Sequence, residues 1–272
     1  MDPLLIVLIV AGASAAFCWI TSLITRETSW VDRLWSIVPV VYVWIFAVAA
    51  GLSDLRLLVM AILVTLWGAR LTFNFARKGG YSGMEDYRWA VLRGRMSRMQ
   101  FELFNIGFIV IFQQSLLVLI TLPALVAYQY QSAMGPLDWV LAAAFLALLI
   151  GETVADEQQW RFHQWKAAEV AAGREPNPRF LQSGLWHTSR HPNFFFEQAQ
   201  WWVFFLMGAV AVGTVLHWSV IGAALLTILF IGSTAFTESI TKAKYPEYAD
   251  YQATTSTIVP FPPRTRRVRA TS

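Results

Sequence analysis

Residues 183–202 read SGLWHTSRHPNFFFEQAQWW. Arg190, His191 and Asn193 stand directly before an aromatic run that is apolar enough to enter a membrane. Pro192 suits the first turn of a helix, because its missing N–H would be unpaired there in any case. The free amides of such a helix start, beside a guanidinium and an imidazole, can receive phosphate or another anion. Asn193 both donates and accepts, and Glu197, one turn later, can accept from an amide, a ribose hydroxyl or a basic group. Upstream, in LLIGETVADEQQWRFHQW, Glu152, Asp156, Gln159 and His163 follow the i, i+4, i+7, i+11 spacing of one helix face. Ionisable groups near a span are costly unless they are paired or functional. The plainer alternatives are an Arg190 that snorkels to headgroups and acids that merely mark a helix leaving the bilayer.

The elements that must position these residues are membrane helices. The chain of 272 residues is 56% hydrophobic and 14% charged, against about 25% charged for soluble domains. A bilayer core needs about 20 apolar residues as helix, and lipid offers no partner for open backbone groups. Seven segments qualify: 4–25, 35–52, 55–77, 104–127, 137–156, 194–213 and 217–240. The expected fold is therefore an all-α integral membrane protein, a single seven-helix domain over 1–262, followed by a basic, mobile tail over 263–272. Of the 21 Lys and Arg, all but Arg56 and the in-span Arg70 fall on one side if the N-terminus is outside. The positive-inside rule then predicts an outside N-terminus and a cytoplasmic C-terminus, with the polar helix ends facing the cytoplasm of, by expectation, a bacterial inner membrane. Anionic lipid accounts for the net charge of +4 without nucleic acid. The single cysteine, Cys18, excludes an internal disulfide, and no CxxC or HExxH spacing suggests a metal. Within the spans, Gln113 and Gln114 read equally as interhelical glue or a substrate contact. Glu238 reads most simply as an i,i+4 partner of Lys242, and alternatively, at the inside end of span seven, as a residue lining the pocket.

The pattern GLW-x-x-SRHPN-F-x-x-E, after a helix carrying E-x-x-x-D-x-x-x-W-R-F, resembles the C-terminal domain of the steroid 5-alpha-reductase family, and its bacterial branch most of all. The ending YPEYADYQATTSTIVPFPP is similar to that family's closing pattern, and SWVDRLWSIVPV and LWGARLTFNF match its N-terminal half. The resemblance marks 137–262 as the reductase-like part. It implies a seven-helix fold that binds NADPH from the cytoplasmic side and reduces a carbon–carbon double bond conjugated to a carbonyl. By position, Asp156, Arg190, Asn193 and Glu197 would hold the nucleotide, joined by Arg161, His191, Tyr248 and Tyr251, with Arg70 and Asn74 facing it from the third span. Asp32 matches the family's catalytic acid. Trp67 falls near the place of the catalytic tyrosine, which Tyr81 or Tyr87 would replace. The expected substrate is an apolar, steroid- or lipid-like molecule arriving from the bilayer. Phe194 and Phe196 stand where the family has tyrosine and glycine, so the helix they open is expected to approach its neighbour less closely. Membrane methyltransferases that use S-adenosylmethionine share a related R-H-P-x-Y signature and form the alternative enzyme class; a non-catalytic lipid-binding protein is the third reading.

Overall fold

The computed structural model describes residues 1–264; of the tail expected over 263–272, residues 265–272 lie outside the described residues. Among those described, every regular element is helical. They are α1 (Pro3–Thr25), α2 (Trp30–Trp35), α3 (Val38–Ala49), α4 (Leu55–Arg77), α5 (Tyr87–Arg95), α6 (Arg98–Phe104), α7 (Gln113–Tyr130), α8 (Pro136–Ala171), α9 (Pro192–Val212), α10 (Val220–Lys244) and α11 (Tyr248–Thr254). A π-helical stretch, Asn105–Phe112, joins α6 to α7, and a short 3-10 turn, Gly184–His187, precedes α9. Among the described residues, seven helical stretches are long and apolar enough to cross a membrane.

Local chemistry fixes many of the helix ends. Asp2 accepts from Leu4 N at 2.7 Å, with Pro3 at the first position of α1. Asp54 caps α4 through Leu57 N at 2.9 Å, and Ser97 with Gln100 forms a capping box on α6. Arg26 and Gln131 close α1 and α7 in the left-handed conformation.

Three expected boundaries move. The span expected over 35–52 begins at Trp30 and is interrupted after Trp35, because Pro39 favours a fresh helix start just before it. The span expected over 137–156 continues to Ala171, 36 residues in all, about 54 Å of helix against a core of about 30 Å. Its extra turns are rich in Ala, Gln and Glu, contain no Gly or Pro, and carry the Glu157–Arg161 pair at 2.7 Å. The span expected over 104–127 starts as a π-helix. Its i→i+5 bonding sets residues four apart nearly above one another, and Phe104, Phe108 and Phe112 stack there at 5.0 and 5.3 Å.

The chain divides into two compact units, Met1–Leu146 with Trp201–Leu226, and Ala147–Gln200 with Thr227 onward. In the first, here the N-terminal unit, α7 is the hub and is buried without a break from Ile120 through Ala127. Glycines allow backbone to approach it: a side chain at Gly208 would strike Pro123, and one at Gly222 would strike the Leu119 carbonyl. Trp67 and Trp201 meet edge to face at 4.9 Å. At the expected outer end, Arg56 gives both its ε and η nitrogens to Asp138, at 2.7 and 3.0 Å, and its remaining donors to Ser132 and Ala133. In the second, C-terminal unit, α8 packs on the start of α9. A side chain at Gly151 would overlap the Phe196 ring, so the bulk of Phe196 on α9 is met by a glycine on α8. Phe194 stacks between Phe230, at 4.7 Å, and His191, at 5.5 Å. Gly151 thus leaves on α8 the room that the Phe196 ring occupies.

Candidate functional site

Within the C-terminal unit the residues singled out by the sequence fall into two groups. The first is a ladder between α8 and α9. Glu152 and Asp156 lie one turn apart on α8, while Asn193, Glu197 and Gln200 follow i, i+4, i+7 on α9. Asn193 Nδ2 donates to Asp156 Oδ1 at 3.4 Å, and Gln200 Nε2 donates to Glu152 Oε2 at 2.6 Å. All three carboxylates are buried. Asn193 Oδ1 and Gln200 Oε1 are enclosed without a hydrogen-bond partner, although buried amide groups are ordinarily satisfied. These two amide oxygens are therefore the ladder's open acceptors, the arrangement that a donor-bearing ligand completes.

The second group centres on Glu238 of α10. Its Oε1 accepts from Arg190 Nε at 2.7 Å and faces His191 Nε2 at 3.0 Å. Its Oε2 accepts from Arg190 Nη2 at 3.0 Å and from Gln252 Nε2 at 2.7 Å. The Tyr248 hydroxyl adds a longer bond at 3.4 Å. The other donors of Arg190 go to the carbonyls of Gln252 and Thr255 and to Thr257 Oγ1. All five guanidinium N–H groups are engaged inside the unit. The Glu238–Lys242 pairing read from the sequence is corrected: the carboxylate turns to Arg190, whose planar fork matches it at both oxygens. The same cluster clasps the chain end, with Arg190 N donating to Ser256 O at 2.9 Å and Phe261 N to Thr188 O at 3.0 Å. Tyr251 donates to the Trp186 carbonyl. Burial pushes the Tyr248 and Tyr251 phenols above their usual value, helped for Tyr248 by the Glu238 charge, so both stay protonated donors at neutral pH.

Other expected site residues lie elsewhere. Arg161 is largely exposed and bonded to Glu157. In the N-terminal unit, Asn74 accepts from Arg77 Nε at 2.9 Å, Arg70 is half-buried, and Asp32 on α2 accepts from the Trp89 indole at 3.2 Å. Tyr87 opens α5 with its ring exposed, whereas Tyr81 donates to the Arg33 carbonyl at 3.0 Å. Trp67 is fully buried. Sequence reasoning missed Gln200 and Gln252 as partners. For Gln200 the signal was present in the i, i+4, i+7 spacing from Asn193 and Glu197. For Gln252 there was none, since its partner lies 14 residues away.

Among the described residues, seven membrane-length helices, with a buried polar ladder between the middle of α8 and the start of α9, define a helical membrane protein. The chain belongs to the family described as "Protein of unknown function (DUF1295)", which matches residues 18–255. It is also similar to an uncharacterized protein of Schizosaccharomyces pombe, 36% identical over 268 residues, which cover 92% of this chain and 78% of the relative. No solved structure matches the chain.

Proposed function

We propose that the protein is a membrane-embedded, NADPH-dependent reductase of a carbon–carbon double bond conjugated to a carbonyl in an apolar substrate. The observation that carries this reading is the acceptor ladder beside the start of α9. Asn193 Oδ1 is buried and open while its amide nitrogen is tied to Asp156. Those residues fit the carboxamide and ribose donors of a dinucleotide, and the resemblance of GLW-x-x-SRHPN-F-x-x-E to the steroid 5-alpha-reductase family supports the same assignment. Asp156, Asn193 and Glu197 accept from the cofactor, and the exposed Arg161 is the cation for phosphate. Arg190, His191, Tyr248 and Tyr251 act as the frame that holds the α9 start and the chain end in place, since the Glu238 cluster engages them.

When bound, NADPH supplies a hydride to the β-carbon of the enone. Negative charge then develops at the carbonyl oxygen, and an acid placed there stabilises it. The resemblance assigns that role to Asp32, whose carboxyl group is held by the Trp89 indole at 3.2 Å and by the Ser29 hydroxyl. The apolar substrate arrives from the bilayer. The distribution of Lys and Arg supports an outside N-terminus and a nucleotide site open to the cytoplasm, in a bacterium at the inner membrane. For mechanism, Asp32→Asn is expected to abolish enone-dependent NADPH oxidation and leave NADPH affinity within about two-fold, since the acid acts on substrate. Loss of nucleotide binding alone would overturn the assigned role.

One observation favours a second reading. With Arg190 fully engaged, the ladder is rich in acceptors and carboxylates, which also suits a cationic cofactor without phosphate such as S-adenosylmethionine. A membrane methyltransferase is the activity that reading implies, and cofactor titration separates the two.

A further inference from the structure

In the N-terminal unit, two amide side chains at either end of the π-helical stretch are held at one end only. Asn105 Nδ2 donates to Ser22 Oγ at 3.0 Å, and Gln114 Nε2 reaches Cys18 Sγ at 3.7 Å. The opposite atoms, Asn105 Oδ1 and Gln114 Oε1, are buried without a hydrogen-bond partner, and each residue is only 2% exposed. Leaving buried acceptors open is costly enough to call for an occupant.

The backbone explains how the two amides come together. Nine residues of regular α-helix would set Asn105 and Gln114 about 180° apart. The wider π turn, at roughly 4.4 residues per turn, brings them within about 60° of one another. Both then reach α1, where Cys18 and Ser22 are one turn and about 6 Å apart. Cys18 packs in the same apolar cluster as Trp89, Ile109 and Val110, with Phe104 and Phe108 against it. Trp89 in turn bonds Asp32.

We propose that this seam is a binding site for the oxygen function, carbonyl or hydroxyl, of a long apolar molecule. The thiol of Cys18 and the hydroxyl of Ser22 both donate and accept; Ser22 Oγ donates to the Trp19 carbonyl at 2.8 Å and swings from it to Asn105 when that amide turns over, so each amide keeps its α1 partner. With oxygen turned inward the pair receives a hydroxyl; with nitrogen inward it donates to a carbonyl. The aromatic and aliphatic wall of the cluster takes the hydrocarbon. The inference concerns the N-terminal unit alone and stands whether or not NADPH binds the other.

The test uses the full chain in lipid nanodiscs with no nucleotide present. Retention of tritiated hexadecyl methyl ketone and the matching secondary alcohol is compared with that of octadecane. The wild type is expected to favour both oxygenated probes by about ten-fold, and Gln114→Leu and Asn105→Leu each to remove most of that preference. Cys18 is the sole cysteine, so labelling of the unmodified protein by N-ethylmaleimide reports on the seam without any substitution. The ketone is expected to slow that labelling, and octadecane to leave it unchanged. Equal retention of all three probes without protection of Cys18 overturns the proposal. So does a preference that survives in both variants, in which case buried water serves the open amide ends. Loss of NADPH binding with the ketone preference intact would sink the reductase reading and leave this site standing.

Discussion

Arg190 and Glu238 are each under a tenth exposed and share a bidentate contact. Charges this far from water are costly singly and tolerable only together. Arg190→Ala or Glu238→Leu alone is expected to cost about 3–5 kcal/mol, read as a lowered unfolding midpoint in detergent. The double variant Arg190→Met with Glu238→Leu should lose far less than the sum, because no orphan charge remains. Additive losses would mean that the two side chains do not act as a pair. This assignment was hidden from the sequence for a physical reason. A carboxylate on one helix and a guanidinium 48 positions earlier leave no periodic trace, whereas Asp156 and Asn193 lie on recognisable helix faces.

At the scale of elements, the contact between α8 and α9 rests on a size exchange between Gly151 and Phe196. Gly151→Leu is expected to lower the unfolding midpoint, and adding Phe196→Ala should restore much of it, since the volumes again match. The loop before α5 offers a pH test. Burial of Glu85 raises its pKa, but bonds from Arg93 and from the backbone and hydroxyl of Thr28 outweigh that and hold it below the ordinary 4.5. A depressed carboxylate stabilises above its ordinary value and loses that contribution as pH falls through the folded one. Amide protection factors at residues 79–97, taken against the intrinsic exchange rate at each pH, should therefore fall below about pH 4.5, and Glu85→Gln should flatten that fall. Boundaries at this scale were legible where apolar runs end at caps, as at Asp2 and Asp54. They were not legible at Asn105–Phe112, because hydropathy does not distinguish α from π bonding, nor beyond Asp156, where polar residues continue a helix past the membrane.

For the whole molecule, the number of spans was readable because lipid demands about 20 apolar residues in each, and seven such helices are present among the described residues. Orientation rests on the positive-inside rule and is open to direct measurement. In a Cys18→Ser background, a membrane-impermeant maleimide added to intact cells should label Ser53→Cys. Ser82→Cys should react only after permeabilisation; the reverse pattern would invert the topology. The central claim, that the acceptor ladder of the C-terminal unit holds NADPH, is tested most directly by titrating the purified protein in detergent with NADPH, NADH and S-adenosylmethionine. Saturable NADPH binding is predicted, weakened about ten-fold or more by Asn193→Leu and by Asp156→Asn, each of which removes a charge-assisted or buried contact. Saturable binding of S-adenosylmethionine with none of NADPH would contradict it.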